Sequence, residues 1–205
     1  MGHVFVRLAG HGVRLVPYWP YRFAVGPVPA TVEVTVFEPA GGRRAVVGPD
    51  AVSVPGVVDV DPGPQGDWRL EIGPFSLCWP QGFVVESPSD SADRTPCYLL
   101  GPDEAMIFPQ GPVPLERLAA PDALVAPGQR IVDRRVLDDD IEVVELAYAH
   151  DGAPWRQAHW LIPVGAQRAL VLTGQTLEAA SGTVRSAGDR MAVTLSGVAE
   201  LGAAG

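Results

Sequence analysis

Residues 129–201 decide the fold, and they read QRIVDRRVLDDDIEVVELAYAHDGAPWRQAHWLIPVGAQRALVLTGQTLEAASGTVRSAGDRMAVTLSGVAEL. Two apolar-rich runs, 129–137 and 141–149, flank three aspartates, which predicts two strands joined by a short polar turn. The dipeptide at 151–152 is Asp-Gly, which supplies the positive φ that a tight reversal needs. A second hairpin is therefore predicted directly after the first.

Side chains alternate along the strand that begins at Trp155. One set is predicted to share a face of the sheet: Arg156, Ala158, Trp160, Ile162 and Val164. The opposite set is Trp155, Gln157, His159 and Leu161. Residues 169–172 are apolar on both faces, as expected of a strand that is covered on both sides.

A helix is predicted over residues 177–195, with Thr176 as its N-cap and Glu178 placed to suit the helix dipole. Apolar residues recur there at three- and four-residue steps, namely Leu177, Ala180, Val184, Ala187, Met191 and Leu195. Gly182 and Gly188 each cost about 1 kcal/mol relative to Ala. This helix is therefore expected to depend on packing against the sheet.

The composition predicts a packed globule built from many short strands. The chain has 205 residues, of which 47% are hydrophobic, with 23 Gly and 21 Pro. Strands are predicted at 3–9, 13–17 and 31–38, and the breaker-rich residues 61–66 form a candidate linker. We therefore expect a β-rich N-terminal region over 1–73 and a second domain over 74–205.

The charge and the cysteine content restrict partners and location. The net charge is −9 and all 15 basic residues are arginine, which disfavours nucleic acid as a partner. The N-terminal residues do not have the pattern of a signal peptide, and the chain has no apolar run long enough to span a bilayer. Cys78 and Cys97 lack metal or redox spacing and are expected to be reduced thiols. These features predict a cytoplasmic protein that is not inserted in a membrane.

The sequence excludes several catalytic classes. Without lysine, the chain has neither a phosphate-binding loop of the Gly-Lys-Ser/Thr type nor a Schiff-base lysine. It also lacks the Gly-x-Ser-x-Gly, His-Glu-x-x-His and dinucleotide-binding motifs. We therefore predict a protein that is not an enzyme and that has no cofactor.

Two interpretations apply to His159. It shares a strand face with Trp155 and Leu161, which suits a histidine held in the sheet by hydrogen bonds. The alternative is a hydrolase in which His159 pairs with Asp151 and a serine, but no local motif supplies the nucleophile.

The acidic turn at Asp138, Asp139 and Asp140 is a candidate binding site. Its oxygen ligands suit calcium, but the spacing lacks the Gly and Glu positions of a calcium loop, so no metal is predicted. A solvated hairpin tip explains the charges, and the same charges would steer a basic partner to this turn.

The most aromatic segment is the second candidate site. It contains Tyr18, Trp19, Tyr21, Arg22 and Phe23, residue types that are enriched at binding hot spots. Pro17 and Pro20 favour an exposed loop. Alternatively, these aromatics fill the core of the N-terminal region.

A family resemblance begins at residues 75–83, FSLCWPQGF. An apolar strand followed by Pro-x-Gly-aromatic resembles the opening of the PsbP-like, Mog-like and DcrB-like α/β sandwich domains, and the order of elements extends the resemblance to about residue 201. The resemblance implies an α+β fold, an antiparallel β-sheet with helices packed on its faces. A short helix is also predicted over 114–120, with Pro at its first position. The resemblance also implies a binding function, like that of photosystem accessory subunits, a nuclear-import cofactor and bacterial adaptors. No family catalytic motif carries over.

The predicted function is a non-catalytic, cytoplasmic protein-binding module from a bacterium with a GC-rich genome. It would serve as an adaptor, chaperone or immunity-type protein for an effector or toxin. One alternative is a structural subunit of a larger assembly, in which the N-terminal region adds its strands to the sheet of a neighbouring subunit. The other is a hydrolase that uses His159 or His150.

Overall fold

The computed structural model describes residues 6–120 and 122–197. Within these ranges the chain divides into two compact units. The first contains residues 6–97 together with 194–197, and the second contains residues 98–193. The boundary predicted at residue 73 falls at the turn between two paired strands of the first unit.

The first unit consists of short antiparallel strands. They are β1 (Val6–Ala9), β2 (Val13–Pro17), β3 (Tyr21–Val25), β4 (Val32–Val36), β5 (Arg43–Val47), β6 (Val58–Pro62), β7 (Arg69–Ile72), β8 (Phe75–Cys78), β9 (Val84–Glu86) and, from the end of the chain, β16 (Ser196–Gly197). Six of them form a sheet in the order β16-β8-β7-β1-β2-β6, and four are ordered β9-β3-β4-β5. The alternation of side chains along each strand explains which residues form the core. In β4, Val32, Val34 and Val36 are buried. Glu33 and Thr35 project from the opposite face of the strand.

The second unit is a long meander with one α-helix among its described residues. Its strands are β10 (Tyr98–Leu100), β11 (Met106–Pro114), β12 (Arg130–Leu137), β13 (Ile141–His150), β14 (Ala153–Pro163) and β15 (Arg168–Leu177), and its helix is α1 (Ser181–Val193). The strand order is β12-β13-β14-β15-β11-β10. Single 3-10 turns lie at Leu115–Arg117, Asp138–Asp140 and Glu178–Ala180.

The turn between β13 and β14 fixes the register of the meander. Asp151 and Gly152 have φ values of 49° and 78°, which is the paired left-handed geometry that suits a two-residue hairpin. His150 therefore pairs with Ala153, and Tyr148 pairs with Trp155. The register places Trp155 opposite Leu177 on the next strand.

The two faces of this sheet are covered differently. Helix α1 lies against β14 and β15, on the face of Trp160, where Val184 and Met191 of α1 are buried. On the other face, part of the segment between β11 and β12 packs on the sheet through Leu118, Leu124 and Val125, which contact Val144, Leu146 and Leu161. The alternation predicted for β14 is confirmed by the register over residues 155–162, while Val164 lies beyond the strand, which ends at Pro163.

The predicted fold class, an α+β sandwich with helices packed on the faces of the sheet, is wrong. The structure is mostly antiparallel β-sheet, 49% strand and 11% helical, and its described residues contain a single α-helix. The helix expected over 114–120 is one 3-10 turn, Leu115–Arg117, in which no residue is buried. So short a segment has too few hydrogen bonds to form an α-helix without packing partners.

Two local predictions also differ from the structure. Strand β15 continues to Leu177, so Thr176 is not an N-cap; its buried hydroxyl donates to the carbonyl of Asp103 at 3.0 Å. Tertiary pairing with β14 therefore outweighs the local cap signal. Residues 61–66 do not link domains, because they join β6 to β7 within the same sheet.

Candidate functional site

The candidate site is built on the sheet face that α1 leaves uncovered. Tyr148, Trp155 and Leu177 lie opposite one another on β13, β14 and β15. In antiparallel strands, residues directly opposite one another project from the same face. Register alone thus gathers two aromatic side chains and one aliphatic side chain, all half-buried, at one end of the meander.

A cavity of about 540 Å³ opens at this end of the sheet. It is lined by Glu104, Tyr148, His150, Asp151, Ala153, Trp155, Gln175 and Leu177. Ligand cavities in proteins commonly measure about 300–1,000 Å³ and combine aromatic walls with a few polar groups. The size of this cavity lies in that range, and its lining is more polar than that of a typical ligand cavity.

Aromatic rings form one wall of the cavity. The rings of Tyr148 and Trp155 are stacked, with centroids 6.2 Å apart and planes 28° apart. The His150 imidazole meets the Trp155 ring edge-on at 6.1 Å. Partial burial raises the pKa of the Tyr148 hydroxyl, so this group is neutral at physiological pH. Tyr148 and Trp155 therefore offer neutral, electron-rich rings.

Two tight turns place carboxylates at the rim. Glu104 lies in the β10–β11 turn, which is closed by a hydrogen bond from the Gly101 amide to the Ala105 carbonyl at 2.7 Å. The hydroxyl of Thr176 anchors the same turn to β15 through Asp103. Asp151 lies in the β13–β14 turn. Both carboxylates are exposed, and both residues have left-handed backbones, with φ of 59° at Glu104 and 49° at Asp151.

The electrostatic character of the cavity is acidic. Among the described residues that line it, none is an arginine, and the chain has no lysine. The imidazole of His150 is the lining group that can carry a positive charge, and its Nε2 lies 3.6 Å from an Asp151 carboxylate oxygen. Aromatic faces and carboxylates both attract cations.

A hydrogen-bonded row of polar side chains crosses the same face beside the cavity. Nδ1 of His159 lies 3.0 Å from the Thr173 hydroxyl, and its Nε2 lies 3.2 Å from the Gln157 amide nitrogen. The Gln157 amide oxygen accepts a hydrogen bond from Gln129 at 2.6 Å. Burial lowers the pKa of His159 to about 4, so its imidazole is neutral. Its ring nitrogens are engaged by an amide and a hydroxyl within the sheet.

The predicted aromatic segment is divided by the structure into exposed and buried parts. Tyr18 and Trp19 are exposed in the β2–β3 turn, and the Trp19 indole donates to the Pro88 carbonyl at 3.1 Å. Tyr21 and Phe23 point into the core of the first unit, where their rings contact each other. Arg22 points outward, 3.9 Å from Glu86. Tyr18, Trp19 and Arg22 are thus accessible, and their role in binding stays a prediction.

The predicted acidic turn forms the 3-10 turn Asp138–Asp140 at the tip of the β12–β13 hairpin. Asp138 and Asp140 are exposed, and the side chain of Asp139 lies outside the described part. In the described ranges no three His, Cys, Asp or Glu side chains are grouped closely enough to hold a metal ion. Docking of a basic partner at this turn stays a prediction.

His150 and Asp151 were named in the hydrolase alternative, but the residues of the cavity were not predicted together as a site. One signal in the sequence pointed to two more of them. The Asp-Gly turn fixes which residues face each other, so counting outward from Asp151 pairs Tyr148 with Trp155. Glu104 could not be found in this way, because the pairing of β11 with β15 joins strands that are distant in sequence.

Comparisons with known proteins do not define the function of the chain further. No family model matches the chain, and no curated protein matches it. A likeness was found to the crystal structure of LpqN, described as involved in cell envelope biogenesis of Mycobacterium tuberculosis. The TM-score is 0.43 at 20% sequence identity, covering 60% of this chain and 82% of that chain. A likeness at this level decides neither the fold nor the function. In the described ranges no helix is long and apolar enough to cross a bilayer.

Proposed function

We propose that this chain is a non-catalytic protein-binding module. Its second unit holds an exposed segment of a partner protein in the cavity at the end of β13, β14 and β15. The observation that supports the proposal is the stacked, half-exposed pair of Tyr148 and Trp155 at a cavity of about 540 Å³. Tyrosine and tryptophan are the side chains most often found at binding hot spots, because they offer large contact areas with little conformational entropy to lose.

Charge also supports a protein partner with basic character. The chain carries a net charge of −9, and Glu104 and Asp151 place two carboxylates at the rim of the cavity. Exposed rim charges of this kind steer the approach of an oppositely charged partner and add less to final affinity.

The observed contacts of His159 favour a structural role for this residue over the hydrolase role. The imidazole is buried and neutral, and it bridges β14 to β15 through the Thr173 hydroxyl. It is also absent from the residues that line the cavity. The hydrolase hypothesis then depends on His150, whose Nε2 lies 3.6 Å from an Asp151 carboxylate oxygen.

The biological role within this proposal is that of an adaptor, chaperone or immunity-type protein for a bacterial effector or toxin. That part rests on the resemblance of residues 75–83 to the PsbP-like, Mog-like and DcrB-like domains. A cytoplasmic location belongs to the same proposal, and the free thiols of Cys78 and Cys97 are compatible with a reducing compartment. Trp19, Arg22 and the turn Asp138–Asp140 are additional contact candidates.

The proposal is tested by quantitative affinity purification of the full chain from the producing cells. We expect wild-type protein to retain one partner in near-equimolar amount, and Trp155→Ala to lose it. Val136→Ala is the matched control, because Val136 is exposed on β12 of the same unit. Thermal unfolding verifies that each variant folds. Equal recovery of the partner by wild type and Trp155→Ala, or recovery of no partner by any variant, contradicts the proposal.

A further inference from the structure

The geometry points to an arginine side chain, carried on an exposed segment of the partner protein, as the group that the cavity recognises. This inference rests on the proposed function and names the residue type that the site would bind. It is carried by the arrangement of one aromatic wall, Tyr148 with Trp155, and two rim carboxylates, Glu104 and Asp151, around one cavity.

The aromatic wall favours a flat cation. The rings of Tyr148 and Trp155 are stacked with planes 28° apart, and both side chains are half-buried, so part of their aromatic surface stays accessible in the cavity. A guanidinium group is planar and weakly hydrated, and it stacks on aromatic faces with both cation–π and dispersion attraction. A lysine ammonium is compact and strongly hydrated, so it gains less from the same surface.

The rim favours a group with several hydrogen-bond donors. Carboxylates accept hydrogen bonds and cannot donate them when ionised, and guanidinium carries five N–H donors in a fixed fork. Glu104 approaches the cavity from the β10–β11 turn and Asp151 from the β13–β14 turn. A guanidinium that stacks on Trp155 has N–H groups at its edge, where such carboxylates can accept them.

Contacts within the second unit hold the two turns of the rim in place. The turn of Glu104 is fixed by the Thr176 hydroxyl, which donates to the Asp103 carbonyl at 3.0 Å. Ala105, directly after Glu104, is buried. The turn of Asp151 is fixed by the paired residues His150 and Ala153. Fixed turns limit the positions that the two carboxylates can take, which reduces the entropy cost of binding.

The exposure of the carboxylates sets the expected strength. The side chain of Asp151 is 91% exposed, and exposed ion pairs are weak and are screened by salt. Binding of a single arginine is therefore expected to be weak and salt-dependent. A partner segment would gain further affinity from contacts outside the cavity.

The test is a titration of the isotope-labelled full chain with three peptides, Gly-Gly-Ser-Xaa-Ser-Gly-Gly, in which Xaa is arginine, lysine or citrulline. Citrulline keeps the planar shape of arginine and removes its charge. The NMR signal of the Trp155 indole N–H, assigned with Trp155→Phe, reports occupancy of the cavity. We expect the arginine peptide to bind about tenfold more tightly than the citrulline peptide and about threefold more tightly than the lysine peptide.

Variants of the rim test the carboxylates without disturbing the core. Glu104→Gln combined with Asp151→Asn is expected to weaken binding of the arginine peptide at least about fivefold, and Asn tolerates the left-handed backbone at position 151. Glu116→Gln is the matched control, because Glu116 is an exposed carboxylate in the same unit and is not among the residues that line the cavity. Raising the salt concentration from about 0.05 M to about 0.5 M is expected to weaken the arginine peptide and to leave the citrulline peptide unchanged.

The outcomes separate this inference from the proposed function. Equal affinity for the arginine and citrulline peptides, or no response of Trp155 to any peptide, overturns arginine recognition. If Trp155→Ala still loses the native partner in that case, the proposed function stands alone. Free arginine amide that binds as tightly as the peptide would assign the cavity to a small molecule and would overturn recognition of a protein segment.

Discussion

Gly188 of α1 lies directly against the indole of Trp160 on β14. A Cβ atom built on Gly188 would lie 2.2 Å from Cζ2 of Trp160, a distance at which two carbon atoms cannot coexist. Trp160 is fully buried, and its indole N–H donates to the Asp189 carboxylate at 2.7 Å. The absence of a side chain at position 188 therefore allows the helix to approach the sheet closely enough to bury this tryptophan.

Gly188→Ala is expected to destabilise the second unit by about 1–3 kcal/mol, because the added methyl group must displace Trp160 or the helix. Gly182→Ala, in the same helix, is expected to stabilise it by up to about 1 kcal/mol through helix propensity. No atom of the described chain lies within 4 Å of a Cβ built at Gly182. Urea unfolding of both variants provides the measurement, and equal effects would contradict the described packing of α1.

His159 makes stability depend on pH. Its pKa is about 4 in the folded chain against an ordinary value of 6.5, because burial disfavours the charged imidazole. The unfolded chain therefore binds a proton at a higher pH than the folded chain does. The contribution is fully present above pH 6.5 and is lost as the pH falls toward 4, with a total size of roughly 3 kcal/mol.

His159→Gln is expected to flatten the loss of stability between pH 6.5 and pH 4, since glutamine retains hydrogen-bonding groups without the titration. His150→Gln is the control, because His150 is exposed at the rim. Denaturant unfolding at a series of pH values measures the difference. A wild-type slope that His159→Gln leaves unchanged would show that His159 is not buried in neutral form.

A buried carboxylate ties α1 to β13. Glu145 is 6% exposed and accepts two hydrogen bonds from the Arg185 guanidinium, at 2.8 Å and 2.7 Å. Arg185→Met is expected to cost about 2 kcal/mol, because Glu145 stays buried with no partner among the described residues but the Arg135 guanidinium, whose Nε lies 3.6 Å away. Arg134→Met, which removes the exposed pair with Glu142, is expected to cost less than about 1 kcal/mol. Thermal unfolding distinguishes the two, and a smaller effect for Arg185→Met than for Arg134→Met would rule out the bidentate contact.

The aromatic segment of the first unit offers a test of its division into core and surface. Phe23 is fully buried, so Phe23→Ala is expected to cost about 3–5 kcal/mol. Trp19 is 47% exposed, so Trp19→Ala is expected to cost about 1 kcal/mol, mainly for the lost hydrogen bond to Pro88. Urea unfolding compares them, and similar costs for both would mean that Trp19 belongs to the core.

The Tyr21 hydroxyl provides a finer test in the same segment. It is buried without a hydrogen-bond partner among the described residues, and burial raises its pKa. Tyr21→Phe is therefore expected to leave stability unchanged or to increase it by up to about 1 kcal/mol. A clear loss of stability in calorimetry would reveal a partner for this hydroxyl.

The local sequence pattern was sufficient to predict the strands of the meander and the helix α1, but not the state of residues 114–120. The acidic turn and the Asp-Gly turn marked where β12 and β13 end and where β14 begins, because such turns need particular backbone angles. A short helix was expected over 114–120 because Pro114 would stand at its first position. Whether such a segment is helical depends on what it packs against, and Leu115–Arg117 has no buried residue.

The sequence by itself determined the alternation of β14, the apolar stripe of α1 and the Asp-Gly turn. Each of these depends only on residues that are close together in the sequence. Only the tertiary structure decided that Glu104 joins Tyr148 and Trp155 around one cavity. That assembly depends on the pairing of β11 with β15, in which Met106 lies opposite Gln175. Pairing at such a separation is selected by the burial of whole sheet faces, which no local stretch of sequence contains.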